Sequence, residues 1–234
     1  MKKTLLVITI TIISLVSTFA RDISEKKNLF GLNGGFGLTT MGIQKENNDA
    51  KKWVKIGGLV GVNFEHRFKH VAAFELAINY TNKGAQQKIE GSNIKRGFYR
   101  LNFHSVEVPI FFKFYVGKKK IFNLNVGGYA SYAFNVQSRL KIDLKDNTVF
   151  KDTDDKDNNL LSNDKNPQDA EGERLFRPFD AGVNVGFEFI SRKGFGVGSR
   201  VQQGLVDYTN PNFFLDDQKK VYHTSVLFYA IMKF

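Results

Sequence analysis

The stretch 121-IFNLNVGGYASYAFNVQ-137 decides how this chain folds, because the character of its side chains changes at every second position. One set of alternate residues is mostly large and apolar: Phe122, Leu124, Val126, Ala130, Tyr132, Phe134 and Val136. The other set is polar or small: Asn123, Asn125, Gly127, Ser131, Asn135 and Gln137. A period of two is that of a β-strand whose two faces meet different surroundings.

The same period recurs in seven further segments, and no segment sustains helical spacing. These segments are 29–40, 54–66, 71–81, 104–116, 179–189, 195–207 and 221–234. Their apolar faces suit either the core of a soluble sandwich or the lipid-facing wall of a barrel, and the period alone does not separate these two folds. The opposite faces are rich in Gly, Asn and single charges, which favours the polar interior of a transmembrane barrel.

The connections between the segments favour the barrel. Short connections at 67–70, 117–120 and 191–194 alternate with longer ones at 41–53, 82–97, 139–174 and 209–220. Outer-membrane barrels have short periplasmic turns, longer extracellular loops and an even number of strands. We therefore predict an all-β fold, an eight-stranded antiparallel up-and-down barrel in the bacterial outer membrane with both termini in the periplasm.

Both ends of the chain carry features of an exported barrel. Lys2 and Lys3, the apolar run 4–16 and the small residues before position 21 are typical of a secretory signal peptide cleaved after Ala20. Residues 21–234 are then the barrel domain. The final residue, Phe234, resembles the terminal aromatic signal read by bacterial barrel-assembly machinery, and an exported chain is not expected to bind nucleic acid.

The stretch 101-LNFHSVEVPIFFKFY-115 resembles the L-x-Y-x-x-[IVL]-E-[IVL]-P-x-x-[LF]-K strand of the PorT-like outer-membrane β-barrel family of Bacteroidota. Segments 57–61, 74–76, 126–129 and 185–189 fit the same family, so the resemblance covers nearly all of residues 21–234. It implies an eight-stranded barrel, a role in protein secretion for some members, and no catalytic residues. The Asp-rich insertion at 143–173 departs from the family pattern.

Six charged residues fall on the predicted interior face: Glu65, Glu75, Glu107, Lys113, Glu188 and Arg200. Charges in a low-dielectric interior must be paired, so we predict a structural salt-bridge network inside the barrel. Ten glycines share that face, at 31, 35, 37, 57, 61, 127, 182, 186, 196 and 198. They leave open a ligand cavity or a narrow route for a small solute.

Three further features carry weaker predictions. Pro109 removes a ladder hydrogen bond in mid-strand, which predicts a bulge or bend there. The loop 139–174 is predicted to be long, acidic and extracellular. Its residues 143–173 hold ten acidic and four basic side chains, and alternating Asp residues raise weak divalent-cation binding as the alternative to a solvated loop.

A lipid A deacylase with the same kind of barrel uses a His-x-Ser pair, which His223 and Ser225 match in spacing. In this chain the pair is expected to point inward, away from lipid. The short turns are basic at Arg67, Lys69 and His70, at Lys118–Lys120, and at Arg192 and Lys193, which suits an acidic periplasmic partner or anionic lipid headgroups.

We therefore expect a non-enzymatic outer-membrane barrel whose loops serve a structural, surface-binding or secretion and assembly role, with no catalytic residues, no cofactor and no metal site. The expected partners are outer-membrane lipid, the barrel-assembly machinery, and a periplasmic or extracellular protein. The alternatives are a small-solute transport barrel and a membrane-embedded lipid A hydrolase.

Overall fold

The computed structural model describes residues 22–43, 53–68, 71–89, 94–117, 120–144, 153–158, 177–207 and 221–234. These residues form nine strands: β1 Asn28–Ile43, β2 Trp53–Arg67, β3 Ala72–Ile89, β4 Ile94–Val116, β5 Phe122–Leu144, β6 Thr153–Asn158, β7 Phe179–Ile190, β8 Phe195–Gly204 and β9 Val221–Lys233. No helix in these residues is long and apolar enough to cross a membrane.

Eight of the strands close into a barrel. The sheet order is β4-β3-β2-β1-β9-β8-β7-β5-β6, and an additional pairing of β4 with β5 closes the ring. Every pairing is antiparallel. The short strand β6 lies outside the ring and pairs only with the end of β5. The prediction of an eight-stranded antiparallel barrel is confirmed.

The two faces of the strands differ as the alternation predicts. Large apolar side chains on the outer face are exposed, including Phe36 at 64% and Phe112 at 54% of their surface. The inner face buries polar and charged side chains, such as Asn79, Glu107 and Gln202, none of which has any exposed surface. A sheet with a wet face and a packed core would show the opposite arrangement, so the outer surface suits lipid.

One predicted face is wrong at Val136. The β4–β5 register shifts between the pairs Ser105–Ala133 and His104–Asn135, which leaves Phe134 as an extra residue on β5. An extra residue in one strand reverses the faces beyond it. Val136 therefore points inward and is fully buried.

The bulge predicted at Pro109 is not found there. Pro109 pairs with Tyr129 of β5 in unbroken register. On the other side, the β3–β4 ladder has pairs Leu76–Ile110 and Asn79–Glu107 in the same register, with the two pairs between them missing. Because proline has no N–H to donate, the ladder opens locally and closes again without a shift.

Several strands extend well past the segments expected from the alternation. β4 and β5 contain 23 residues each, whereas β8 contains 10. Part of 82–97 and part of 139–174 are therefore strand: β3 and β4 run to Ile89 and from Ile94, β5 runs to Leu144, and β6 lies at 153–158. The barrel is consequently much taller on the β3–β6 side.

The interior glycines do not leave empty space. Each of four glycines stands directly opposite a larger interior side chain: Gly31 opposite Asn63, Gly61 opposite Asn79, Gly182 opposite Tyr129 and Gly198 opposite Tyr229. A Cβ on Gly198 would lie 2.6 Å from the Tyr229 ring, and one on Gly182 would lie 2.7 Å from the Tyr129 ring. The neighbouring strand fills the space that the glycines provide.

We predict that Gly61→Ala destabilises the barrel by about 1–3 kcal/mol because the new Cβ overpacks the interior. That Cβ would lie 2.1 Å from Asn79 Oδ1 and 2.4 Å from the Ile78 carbonyl oxygen. The measurement is the urea midpoint of the refolded barrel, followed by gel mobility of unheated protein.

The matched control is Gly58→Ala on the outer face of the same strand, whose Cβ meets nothing closer than the Gly35 carbonyl oxygen at 3.8 Å. Its midpoint is expected to match that of the parent chain. Equal midpoints for the two variants would mean that the interior glycines are not packed as described.

Candidate functional site

Five charged side chains from five strands meet in one half of the barrel interior. This half is the turn end, which carries the connections after β2, β4 and β7 and both ends of the barrel. The Lys113 ammonium on β4 lies 2.7 Å from a Glu75 carboxylate oxygen and 2.5 Å from one of Glu188. The Lys233 ammonium on β9 lies 2.7 Å from the same Glu75 oxygen and also contacts Glu65. We call this group the turn-end cluster.

Further side chains complete the turn-end cluster. Arg67 Nε lies 2.7 Å from Glu65 Oε1, and the Tyr115 hydroxyl donates to the same carboxylate. The Tyr229 hydroxyl donates to Glu188 Oε1 at 2.9 Å. Three carboxylates thus face three cations, so the cluster is electrically balanced. Burying charges is costly unless each is paired and hydrogen-bonded, and this arrangement meets that condition.

A second group, the loop-end cluster, lies nearer the other end of the interior. The Glu107 carboxylate accepts hydrogen bonds from Arg200 at 3.1 Å and from Gln202 at 2.9 Å, and it contacts the Lys83 ammonium. The Lys83 ammonium also lies 4.6 Å from the centre of the Tyr129 ring. The Tyr129 hydroxyl in turn donates to Asp180 at 2.8 Å.

The chain closes its own turn end. Residue Ile23, ahead of β1, is 2% exposed. Its N–H donates to the Arg192 carbonyl oxygen at 2.9 Å, and its carbonyl oxygen accepts from Arg67 at 2.7 Å. Lys120 donates to the Ser24 carbonyl oxygen at 3.0 Å. The cavity left between these groups measures about 10 Å³, room for about one water molecule.

The opposite, loop end of the interior is filled by apolar side chains. Leu101, Phe103 and Val136 are at most 6% exposed, and Phe103 stands directly opposite Val136. Here β3 is also drawn towards β1, which is not its neighbour in the sheet, because the Thr39 hydroxyl donates to the Gly84 carbonyl oxygen at 2.8 Å. Described residues therefore pack both ends of the barrel interior.

The structure brings the six predicted interior residues into two places. Glu65, Glu75, Lys113 and Glu188 belong to the turn-end cluster, and Glu107 and Arg200 to the loop-end cluster. Among the described residues, no group of three His, Asp or Glu side chains is placed to hold a metal ion.

Sequence reasoning missed several members of the two clusters. Lys83 and Lys233 lie on the inner face of strands whose parity was already assigned, so extending β3 past residue 81 and counting back from Phe234 would have found them. Arg67 was expected in a basic periplasmic turn, and this expectation is wrong: the side chain is 5% exposed and pairs with Glu65. The side chain is drawn inward because β2 continues through this position and Glu65 lies two residues earlier on the same face.

The other turn residues stand differently. Arg192 and Lys193 are exposed, whereas Lys69, His70, Lys118 and Lys119 lie outside the described residues. The Asp-rich side chains of the 143–173 insertion also lie outside the described set, so cation binding there stays a prediction.

His223 and Ser225 do point inward, as expected from parity. Both are at most 1% exposed, and the Ser225 hydroxyl donates to Gln202 at 3.0 Å. Neither ring nitrogen of His223 has a hydrogen-bond partner among the described residues, so the pair is not assembled as a nucleophile and base. A lipid substrate on the outer wall would not reach this hydroxyl.

We predict that Lys113→Met destabilises the barrel by about 3–5 kcal/mol, because it leaves buried carboxylates without their counter-charge. The expected readout is a lower urea midpoint. Lys26→Met, at an exposed position ahead of β1, serves as the control and is expected to leave the midpoint unchanged. A Lys113→Met barrel as stable as the parent would show that the carboxylates are not held by this lysine.

Comparison with solved structures finds three small barrels of outer membranes among the similar chains. Ail, the attachment invasion locus protein of Yersinia pestis, is 9% identical, with 89% of this chain and 100% of Ail covered and a TM-score of 0.43. Neisserial surface protein A is 11% identical, with 88% and 97% covered and a TM-score of 0.45. OprG from Pseudomonas aeruginosa is 14% identical, with 91% and 99% covered and a TM-score of 0.37.

No curated protein matches the sequence. A protein family does: the outer membrane protein beta-barrel domain matches residues 20–210. This range contains the first eight of the nine strands and both interior clusters except Lys233. The chain therefore belongs to the outer membrane protein beta-barrel domain family and is an eight-stranded barrel of the bacterial outer membrane.

Proposed function

We propose that this barrel is a non-enzymatic surface protein that binds its partner through the tall β3–β6 side at the loop end. The protein is anchored by its apolar wall, and its interior serves to hold the strands together. Secretion or assembly of other proteins, which the resemblance to PorT-like barrels implies for some members, is the biological setting in which we place this binding.

The single observation that carries the proposal is the unequal height of the barrel. On β4, exposed apolar side chains occupy alternate positions from Val106 to Val116. The strand continues from that band back to Ile94, which adds about 40 Å along the strand at about 3.4 Å per residue. The apolar band of such barrels is about 25 Å tall, so the added sheet rises far beyond it.

The outer face of the added sheet is polar. Gln86, Arg100, Asn102, Gln137 and Arg139 occupy this face and are all partly exposed. Arg100 is held in place by Gln86, whose side-chain oxygen accepts from two guanidinium nitrogens at 3.1 and 2.9 Å. A fixed polar sheet standing in water is a suitable surface for recognition.

The packed interior argues against the transport alternative. The glycines that suggested a route are filled by Asn and Tyr side chains, and the turn end holds a cavity of only about 10 Å³. The hydrolase alternative likewise has no accessible serine, since Ser225 is 1% exposed. Recognition on the surface is the role that these observations leave.

The proposed orientation places the loop end outside the cell and both termini in the periplasm, after removal of residues 1–20. Phe234 supports this placement, since its backbone exchanges hydrogen bonds with Phe30 at 2.9 and 3.1 Å and so ends the last strand at the turn end. Barrel-assembly machinery in the periplasm would meet this end of β9 first.

The test is in-cell photo-crosslinking from two positions in otherwise identical chains. A photoreactive residue replaces Gln137 on the added sheet in one chain and Lys193 at the turn end in the other. We expect a discrete adduct of higher mass from position 137. Adducts from position 193 alone would contradict binding at the loop end.

Orientation is checked in parallel with a membrane-impermeant maleimide, because the chain contains no cysteine and each single-cysteine variant reports one site. In intact cells Gln137→Cys is expected to be labelled and Lys193→Cys to be labelled only after lysis. The reverse pattern would place the termini outside the cell and overturn the proposed orientation.

A further inference from the structure

Two concavities on the outer wall run together along β8. The first, of about 700 Å³, lies at the turn end and is lined by Ile121, Phe189, Phe195 and Arg192. The second, of about 420 Å³, lies further up the wall, and Val197 lines both. Together they form one groove that begins at the turn after β7 and climbs towards the middle of the apolar band.

The upper part of the groove exists because small residues stand in adjacent rows. Val197, Ala230 and Gly34 are direct neighbours across β8, β9 and β1. In the next row Ser199 lies beside Phe228 and Phe36. The small residues form the floor, and the aromatic rings form the wall.

Gly34 is not small for want of space. A Cβ there would meet only the Leu59 carbonyl oxygen, at 3.9 Å, an ordinary contact. The interior glycines differ, since a Cβ on Gly61 would lie 2.1 Å from a neighbouring atom. Packing within the protein therefore does not require glycine at position 34, whereas an open groove does.

The groove matches one leaflet in depth. Its course along β8 runs from Phe195 to Ser199, about 14 Å at about 3.4 Å per residue. Half of a hydrocarbon core about 30 Å thick is about 15 Å. An acyl chain entering at the turn end would therefore follow the groove through most of its own leaflet.

The mouth of the groove is cationic. Arg192 and Lys193 are exposed, and neither has an ion pair among the described residues. The nearby acid is Asp22, whose pKa is lowered mainly by hydrogen bonds from Ser24 and to a lesser degree by the charge of Arg192. Two cations facing one carboxylate leave a positive excess at the height of the headgroups.

We propose that this groove is a binding site for one anionic phospholipid, with its phosphate at Arg192 and Lys193 and an acyl chain along Val197, Gly34 and Ala230. The guanidinium fork suits phosphate oxygens, and the apolar floor suits a methylene chain. Assignment to the inner, periplasmic leaflet rests on the orientation given under the proposed function, whereas binding to the isolated barrel does not.

The experiment is native mass spectrometry of the mature barrel in detergent with added phosphatidylglycerol or phosphatidylcholine of identical chains. We expect a one-to-one complex with phosphatidylglycerol that is about tenfold more populated than with phosphatidylcholine, as for one charge-assisted contact. The double variant Arg192→Gln/Lys193→Gln is expected to lose this preference, whereas Lys26→Gln/Lys27→Gln keeps it.

The groove itself is tested by Ala230→Phe, which fills it. This variant is expected to lose both lipids, whereas Ala130→Phe, at an exposed outer-wall position outside the groove, retains them. Gel mobility of unheated protein confirms that each variant is folded. Equal binding by the two Phe variants, no headgroup preference in the parent chain, or a dimer in place of a lipid complex would each overturn the proposal.

Discussion

The structure depends on a set of carboxylates and cations that meet inside the turn end of the barrel. Lys113 and Lys233 reach carboxylates contributed by β2, β3 and β7, so two side chains tie together strands on different sides of the ring. Because none of these groups could be buried alone at tolerable cost, each strand is held in the position that completes the set. Register then follows, since a shift of one residue would turn every charge towards lipid.

This constraint also decides what the interior is free to do. A narrow barrel has just enough room for the side chains that its strands direct inward, and here Tyr115, Tyr129 and Tyr229 occupy most of the room beside the charges. The same tyrosines lie against the interior glycines, so small and large residues complement one another across neighbouring strands. Recognition is thereby left to the surfaces, which are the tall sheet at the loop end and the lipid-facing wall.

Much of this could be predicted from sequence because alternation reports a face directly. Glu107, Lys113 and Glu188 were placed in the interior by parity alone, and His223 and Ser225 likewise. Parity fails where a distant strand changes the count: the extra residue at Phe134 is visible only against β4, so Val136 was assigned to the wrong face. Parity also says nothing of what lies opposite, which is why glycines filled by Asn79 or Tyr229 looked like free space.

The account's central claim, that the charges are sealed within a packed interior, is tested most directly by acetylating the lysines of the folded barrel with a small water-soluble reagent. Peptide mass spectrometry then gives the rate at each lysine. Lys83, Lys113 and Lys233 are at most 3% exposed and are predicted to stay unmodified while the exposed Lys26 and Lys193 react fully. Modification of Lys113 or Lys233 at the rate of Lys193, in protein that still shows folded gel mobility, would contradict the claim.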